Sequence, residues 1–209
     1  MTPFTTVSGR AAPLMKTNID TDVIIRIERL TSGERGELGT YALEALRYKP
    51  DGSENPDFVL NQPKYWQAPI LIAGSNFGCG SSREGAVWAL MAMGLRCIIA
   101  ESFGDIFLGN CFQNGLLPIR FPATAVQSLV DESLARDEPF AVDLTRCLLT
   151  TPTGRQFVFT VDALRRESLL TGLDDVGLTL RCDDEIAQWQ TVDRVARPWI
   201  WTVNANPLS

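Results

Sequence analysis

Small and charged side chains follow closely spaced glycines in the segment GSNFGCGSSREGAVWAL, which spans residues 74–90. Gly78 and Gly80 keep side chains away from the backbone at the point where a helix is expected to begin. Free amide groups and the helix dipole both favour negative charge at such a place. Arg83 adds a planar guanidinium that suits a carboxylate. The segment therefore predicts a binding site for a small anionic molecule.

A purely structural interpretation of the same residues is also open. Ser81 and Glu84 have the S-x-x-E spacing of a capping box. In that motif the serine oxygen accepts from the amide three residues later, and the glutamate accepts from the amide of the serine. A capped helix alone would explain the serine and the glutamate, but it would not explain why Gly78 and Gly80 occur together.

Three known glycine-containing motifs do not match this segment. The dinucleotide-binding pattern G-x-G-x-x-G requires glycine where the chain has Arg83. The phosphate-binding G-x-x-x-x-G-K-[ST] loop requires a lysine that is absent after either Gly74 or Gly78. The nucleophile elbow G-x-S-x-G does not match either. It requires glycine two residues before and two residues after the serine, and neither Ser81 nor Ser82 has glycine at both positions.

The chain contains no histidine. Catalysis by Ser-His-Asp or Cys-His groups, and metal binding by imidazole, are therefore excluded within this chain. Any chemistry must use Ser, Asp, Glu, Arg, Lys, Tyr or backbone groups, or groups supplied by a partner.

Cysteine usage argues against a disulfide framework and against a zinc site. The five cysteines are odd in number, widely spread, and none forms a C-x-x-C pair. Cys97, Cys111 and Cys147 lie in apolar or strand-like surroundings, where a cysteine usually packs as a small hydrophobic side chain. We therefore expect no metal ligands among them.

Composition also limits the possible partners and the location. The 209 residues include 25 acidic and 19 basic side chains, for a net charge of -6, so binding to nucleic acid or to an anionic membrane has no electrostatic basis. Apolar runs end after about ten residues, well short of the roughly 20 that cross a bilayer. The first residues show no secretory signal pattern. These features predict a cytoplasmic protein.

The middle of the chain has the pattern of a parallel sheet with covering helices. Short apolar runs are separated by longer segments that end at Gly94 and Gly115, and glycine commonly ends helices. The pattern predicts strands at 70–73, 97–100 and 116–121, alternating with helices that end near Gly94 and at 103–114.

The flanking regions are less regular. We expect an extended segment at 22–27 and a mobile loop at 29–40, because the latter has no hydrophobic period and contains three glycines. A turn signal ending at Gly154 predicts that the runs 141–145 and 156–161 pair as a hairpin. The remaining predicted helices cover 41–48, 123–136, 162–170 and 183–192.

Several separated segments closely resemble the small subunits of 3-isopropylmalate dehydratase, which belong to the aconitase superfamily. The resemblance extends over nearly the whole chain, with the motifs in the same order and spacing. The segments are NIDTDVII at 18–25, NPDFVLNQP at 55–63, NFGCGSSRE at 76–84, SFGDIFLGNCFQNGLLPI at 102–119 and GLDDVGLTL at 172–180.

The resemblance implies an α/β fold. The family has a three-layer β/β/α swivelling domain, similar to domain 4 of aconitase, with a mostly parallel central sheet. For this chain we expect that domain in residues 1–165 and a helical C-terminal extension, packed on it, in residues 166–209.

The resemblance also implies a heteromeric hydro-lyase that interconverts 2-isopropylmalate and 3-isopropylmalate through isopropylmaleate, in leucine biosynthesis. A separate large subunit would carry a [4Fe-4S] cluster, so that this chain itself would hold no cofactor. The expected partners are that iron-sulfur subunit and a small dicarboxylate substrate. Two alternatives stay open: a related hydratase acting on maleate, citraconate or dimethylmalate, and a binding relative that has lost catalysis.

The roles of individual residues follow from the matching motif. Ser81 matches the serine that removes a proton from carbon as an alkoxide. Ser82 and Arg83 match neighbouring substrate binders, with Arg83 holding a substrate carboxylate, and the Gly80 amide contributes to the same site. Arg35 lies where the family senses the variable side group of the substrate.

Two positions depart from the family pattern. The chain has Gly85 where the family usually has histidine, and Arg26 where it usually has proline. Glycine in the first turn of a helix costs up to about 1 kcal/mol relative to alanine. These departures leave Ser81 and Arg83 in place and keep the related diacids open as substrates.

Overall fold

The computed structural model of the chain describes residues 1–32 and 35–201. The chain forms two compact units, Met1–Gly172 and Leu173–Ser209. The division predicted after residue 165 falls inside helix Ala163–Thr171. The first unit of the structure instead ends at Gly172, whose left-handed conformation (φ 73°) ends that helix.

The described residues form eight strands. In chain order these are β1 (Thr6–Gly9), β2 (Ala11–Leu14), β3 (Ile70–Ala73), β4 (Cys97–Ala100), β5 (Leu117–Arg120), β6 (Phe140–Asp143), β7 (Leu148–Thr150) and β8 (Gln156–Val158).

The helices of the described residues are mostly short. They are α1 (Thr21–Ile24), α2 (Ile27–Ser32), α3 (Leu38–Tyr41), α4 (Glu44–Arg47), α5 (Glu84–Ala92), α6 (Asp105–Asn114), α7 (Ala123–Ala135), α8 (Ala163–Thr171), α9 (Asp175–Leu180), α10 (Asp183–Ala196) and α11 (Pro198–Trp201). Three 3₁₀ turns cover Arg35–Glu37, Val59–Asn61 and Pro63–Tyr65.

A four-stranded parallel sheet of order β2-β3-β4-β5 lies at the centre of the first unit. The predicted strands β3, β4 and β5, and the helices α5 and α6 between them, are confirmed. Both faces of the sheet are buried: Leu71 and Ile98 pack on α5 and α6, whereas Ile70 and Ile99 face the opposite side. Burial on both faces explains why these strands are continuously apolar.

The second face of the parallel sheet is covered by an antiparallel sheet together with α7 and α8. Phe140 and Val142 of β6, Leu129 of α7 and Leu169 of α8 are buried in this core. The three-layer β/β/α arrangement implied by the resemblance is therefore confirmed.

The antiparallel sheet corrects one predicted pairing. Its order is β1-β6-β7-β8, so the runs that contain β6 and β8 do not pair with each other as predicted. β7 lies between them, and the turn that ends at Gly154 joins β7 to β8. The three-residue strand was missed because it follows a tight turn at Cys147, which has a left-handed φ of 51°.

The segment between β2 and β3 corrects two further predictions. The segment 22–27 was expected to be extended, but its first residues belong to the helix α1. The Asp20 carboxylate accepts from the Val23 amide at 2.7 Å and caps this helix. The expected mobile loop is mostly helical: α2, the turn Arg35–Glu37 and α3 occupy it, and only residues 33–34 lie outside the described residues. These short elements pack against α5, which supplies the stability that their own length does not.

The second unit consists of α9, α10 and α11. Asp174 caps α9 by accepting from the Gly177 amide at 2.7 Å. In α10 the buried Asp193 accepts from the Trp201 indole at 2.9 Å and pairs with Arg197. Across the described residues, the helices are too short or too polar to span a membrane.

Two of the cysteines expected to act as small hydrophobic side chains are fully buried. Burial raises the pKa of the Cys97 and Cys111 thiols well above the ordinary value, so both stay neutral. Cys147 is half-buried, with its sulfur 3.5 Å from the Leu144 carbonyl oxygen. All five cysteines are unpaired.

Glu132 of α7 provides a pH-dependent link to the turn between β7 and β8. Its carboxylate accepts from the Thr153 hydroxyl at 2.7 Å and from the Arg155 guanidinium at 3.0 Å. Burial raises the pKa of this carboxyl, but hydrogen bonds from Thr151 and Thr153 and the charge of Arg155 outweigh burial and lower it below the ordinary 4.5.

We expect Glu132→Gln to lower the free energy of unfolding at pH 7 by about 1 kcal/mol. Because the pKa is lowered on folding, the ionised carboxylate stabilises the fold above pH 4.5, and this contribution is lost as the pH falls through the lower pKa of the folded state. Urea unfolding of both proteins from pH 7 to pH 3 should show the two stabilities converging on the acidic side. A difference that stays constant with pH would contradict this role for the charge.

Candidate functional site

The glycine- and serine-containing loop at residues 74–83 joins β3 to α5 at the carboxyl end of the parallel sheet. The chain leaves β2 and β4 at the same end, so their following loops lie on either side. Ligands of α/β proteins commonly bind at this edge, because loops from several strands meet there. The loop with the predicted binding residues therefore lies at this edge of the sheet.

The loop after β2 holds one side of this segment through the backbone. The Gly78 amide donates to the Ile19 carbonyl at 2.7 Å, and the Thr21 amide donates to the Cys79 carbonyl at 2.9 Å. The Thr21 hydroxyl also donates to the Ser81 carbonyl at 3.1 Å. The backbone of Ser81 is thus fixed by a residue 60 positions away in the sequence.

The loop after β4 holds the other side. The Phe77 amide donates to the Ser102 carbonyl at 3.1 Å, and the Gly104 amide donates to the Phe77 carbonyl at 2.9 Å. Asn76, with a left-handed φ of 56°, is held by the Ser102 hydroxyl, which accepts from its amide at 2.8 Å. The Asn76 side chain donates to Asn18, a second left-handed asparagine, at 2.8 Å.

The two glycines of the loop have different roles. Both have left-handed φ angles, 71° at Gly78 and 91° at Gly80. At Gly78 an added Cβ would lie 2.2 Å from the Phe107 ring, so the backbone can lie on this aromatic side chain only without a side chain of its own. At Gly80 the nearest atom to an added Cβ is 3.3 Å away, and the residue is exposed.

Ser81 and Ser82 are exposed beside Gly80, immediately before the helix. The structure therefore brings Gly80, Ser81, Ser82 and Arg83 together on one loop.

The predicted capping box is not formed. α5 begins at Glu84, its N-cap is Arg83, and no side chain caps it. The Arg83 amide donates to the Ser81 carbonyl at 2.9 Å, which makes a turn rather than the first helical residues. Glu84 instead accepts from the Asn114 side chain at 2.7 Å. The capping interpretation was wrong because hydrogen bonds to Thr21 determine where the Ser81 backbone lies.

Arg83 forms an ion pair with Asp22 of α1. The Arg83 side chain is 19% exposed and that of Asp22 is 57% exposed, so the pair lies at the surface with part of the guanidinium accessible. Sequence reasoning did not select Asp22 as a site residue. The only available signal was its place in the motif NIDTDVII, since the two residues are 61 positions apart.

The departure at Gly85 has a packing explanation. Gly85 is buried in the first turn of α5, and an added Cβ would lie 2.4 Å from Cδ2 of Leu30. Leu30, on α2, therefore occupies the space that a side chain at this position would need. Arg26 is exposed and lies 3.9 Å from the Glu44 carboxylate.

Arg35 is the first residue of the 3₁₀ turn Arg35–Glu37. The neighbouring glycines of this region line a cavity with Ala92 and Met93, at the C-terminal end of α5. Ser81 lies before the N-terminal end of the same helix. Contact between Arg35 and the loop that carries Ser81 remains a prediction.

The described residues offer no fit for a metal cluster. Among them, no group of three or more His, Cys, Asp or Glu side chains could hold a metal ion. Cys97 and Cys111 are buried, with raised thiol pKa values that oppose ligation.

Comparisons with known proteins agree on one family. The Aconitase C-terminal domain matches residues 1–124. The chain is 48% identical to the 3-isopropylmalate dehydratase small subunit of Paramagnetospirillum magneticum, over 96% of this chain and 100% of that one. It is 49% identical to the same subunit of Gluconacetobacter diazotrophicus, over 95% and 97% of the two chains.

A solved structure is similar across most of the chain. The crystal structure of a 3-isopropylmalate dehydratase from Methanocaldococcus jannaschii superposes with a TM-score of 0.64 and 26% sequence identity. The alignment covers 89% of this chain and 99% of the archaeal one. The similarity therefore extends to the fold as well as to the motifs.

We expect Gly78→Ala to destabilise the first unit strongly, by about 3 kcal/mol or more, because the new methyl group would enter the Phe107 ring. Gly154→Ala is the matched control: its φ of 83° is also left-handed, but an added Cβ meets nothing within 4 Å. In that control the free energy of unfolding should fall by only about 1 to 2 kcal/mol, because alanine disfavours the left-handed backbone but meets no neighbouring atom. Chemical denaturation measures both, and equal losses would contradict the packing role of Gly78.

Proposed function

This chain belongs to the family of 3-isopropylmalate dehydratase small subunits, and from that premise we propose that it completes the active site of a hydro-lyase. The enzyme interconverts 2-isopropylmalate and 3-isopropylmalate in leucine biosynthesis, and it does so together with a large subunit. Relatives named 3-isopropylmalate dehydratase small subunit match nearly the whole chain, which supports the assignment.

One observation carries the proposal for this chain's own part in the reaction. The loop after β3 presents exposed Ser81 and Ser82 beside the anchored guanidinium of Arg83, at the carboxyl end of the parallel sheet. A hydroxyl group and a cation side by side suit a substrate that must lose a carbon-bound proton and has carboxylates to hold.

Ser81 is the proposed base. A serine hydroxyl is far too weak an acid to ionise alone near neutral pH, so its surroundings must favour the oxyanion. The N-terminus of α5 lacks a side-chain cap, and its free amides and dipole favour negative charge at the residues in front of it. Arg83 adds a positive charge close by. The Ser81 oxyanion would take the proton from carbon and become the hydroxyl, and that hydroxyl would return the proton in the reverse direction.

Arg83 is the proposed carboxylate binder. Asp22 holds one edge of its guanidinium, and the remaining N–H donors can form a bidentate pair with a substrate carboxylate. Ser82 and the Gly80 amide, both on the exposed loop, would donate to the same diacid. The ion pair with Asp22 keeps the arginine in place before substrate binds.

We propose that the [4Fe-4S] cluster lies on the large subunit, because the similar proteins are small subunits of the enzyme and share the aconitase C-terminal domain. Such a cluster supplies Lewis-acid chemistry for removal and return of the substrate hydroxyl. The part of this chain is to position the diacid and to move the proton. Arg35 is proposed to sense the variable group of the substrate. The unpaired cysteines support a cytoplasmic location, where thiols stay reduced.

Gly85 keeps a related diacid open as a substrate. Leu30 occupies the space that a histidine side chain would need, so this buried position presents no polar side chain to a substrate. Assays of the assembled enzyme with isopropylmalate, citraconate, maleate and dimethylmalate would compare these substrates directly.

We expect Ser81→Ala to lower kcat of the complex with the large subunit by about 10³-fold, because the proton acceptor is removed. Ser82→Ala should raise KM and change kcat by less than about tenfold, since it removes a binding group only. Steady-state kinetics with 2-isopropylmalate measure both. Size-exclusion chromatography must show that each variant still assembles. An assembled Ser81→Ala complex with normal turnover would rule out this serine as the base.

We expect Arg83→Lys to raise KM by about tenfold or more, because lysine keeps the charge but loses the planar fork. Arg120→Lys is a matched control, since Arg120 lies at the end of β5 and contacts Asp105 at 3.8 Å. It should leave KM within a factor of about two. If the two variants behave alike, bidentate binding by Arg83 is not part of the mechanism.

A further inference from the structure

A partly enclosed cavity lies at the C-terminal end of α5, away from the serine loop. Its volume is about 250 Å³, and its wall includes Ala92, Met93 and Leu95 on one side and Tyr65 and Trp66 on another. A volume of this size admits a molecule of a few heavy atoms. The cavity has no part in the proposed reaction.

One charged side chain lines this cavity. Arg47, the last residue of α4, is 9% exposed, and it is the only charged residue among the described ones that form the wall. One nitrogen of its guanidinium, Nη1, donates to the carbonyls of Gly39 and Thr40 at 3.1 and 3.2 Å. The carbonyl groups orient the side chain, but they do not neutralise its charge.

The charge of Arg47 has no carboxylate partner among the described residues. Glu44, one turn earlier on the same helix, pairs with Arg29 at 3.0 Å instead. Nε of Arg47 is buried and has no hydrogen-bond partner. A buried cation without a counter-charge is costly, and an anion that binds beside it recovers part of that cost.

We propose that this cavity binds a small monocarboxylate with a short apolar tail. The carboxylate pairs with the Arg47 guanidinium, and Thr40 and Gln67 also line the wall. The tail lies against Met93 and Leu95. One cation on the wall suits a single carboxylate rather than a diacid. The cavity ligand is therefore different in kind from the substrate.

Isothermal titration of the full-length chain with 4-methylpentanoate tests the proposal. The expected Kd is roughly 1 mM, which is typical for so small a ligand. The neutral isostere 4-methylpentanamide should bind at least about tenfold more weakly, because it cannot pair with the guanidinium. No binding of the carboxylate at about ten times that concentration, or equal binding of the amide, would overturn the proposal.

Two variants locate the binding. Arg47→Met should abolish the preference for the carboxylate, but it also removes the hydrogen bonds to Gly39 and Thr40 and can unfold the region. Gly36→Leu avoids this problem, because Gly36 lines the cavity, an added Cβ meets nothing within 4 Å, and Arg47 stays. We expect the larger side chain to narrow the cavity. It should weaken binding at least about tenfold.

Gly109→Leu, on α6, is the control for Gly36→Leu, because its added Cβ also meets nothing within 4 Å and Gly109 is not part of the cavity wall. This control should bind 4-methylpentanoate as the unchanged chain does. Normal binding by Gly36→Leu would place the ligand elsewhere and reject the cavity. None of these results depends on turnover, so they are independent of the role proposed for Ser81.

Discussion

The backbone hydrogen bonds that hold residues 77–79 between two neighbouring loops are the constraint on which the candidate site depends. The Gly78 amide is bonded to Ile19 on one side, and Phe77 is bonded to Ser102 and Gly104 on the other. Each such bond contributes only about 1 kcal/mol net. Together they fix the loop, and the serines that follow are exposed.

Close approach of three chain segments is possible only because glycines lie where they meet. An added Cβ at Gly74 would lie 2.4 Å from the Lys16 carbonyl oxygen, and one at Gly104 would lie 2.5 Å from the Gly78 carbonyl oxygen. Gly78 itself lies on the Phe107 ring, which stacks with Phe103 at 6.5 Å between ring centroids. The base of the candidate site is thus made of backbone and aromatic rings.

The start of α5 shows how local stability and function can oppose each other. A capping serine there would add about 1 kcal/mol to the stability of the helix. The structure leaves the helix without a side-chain cap and uses Glu84 to bind Asn114 on α6 instead. The guanidinium of Arg83, the residue before the helix, is paired with Asp22. Stability is recovered elsewhere, in the two buried faces of the parallel sheet.

The sequence by itself determined the β3-α5-β4-α6-β5 unit, because continuous apolar runs and helix-ending glycines such as Gly115 are local signals. It also placed Ser81, Ser82 and Arg83 in one motif. Tertiary structure alone decided the short helices before β3, the pairing of β7, the loss of the capping box and the ion pair between Asp22 and Arg83. Elements of three to six residues are not stable alone, and contacts between residues 60 positions apart leave no periodic pattern. Their conformation follows from packing on α5 and on the parallel sheet, which no local stretch of sequence contains.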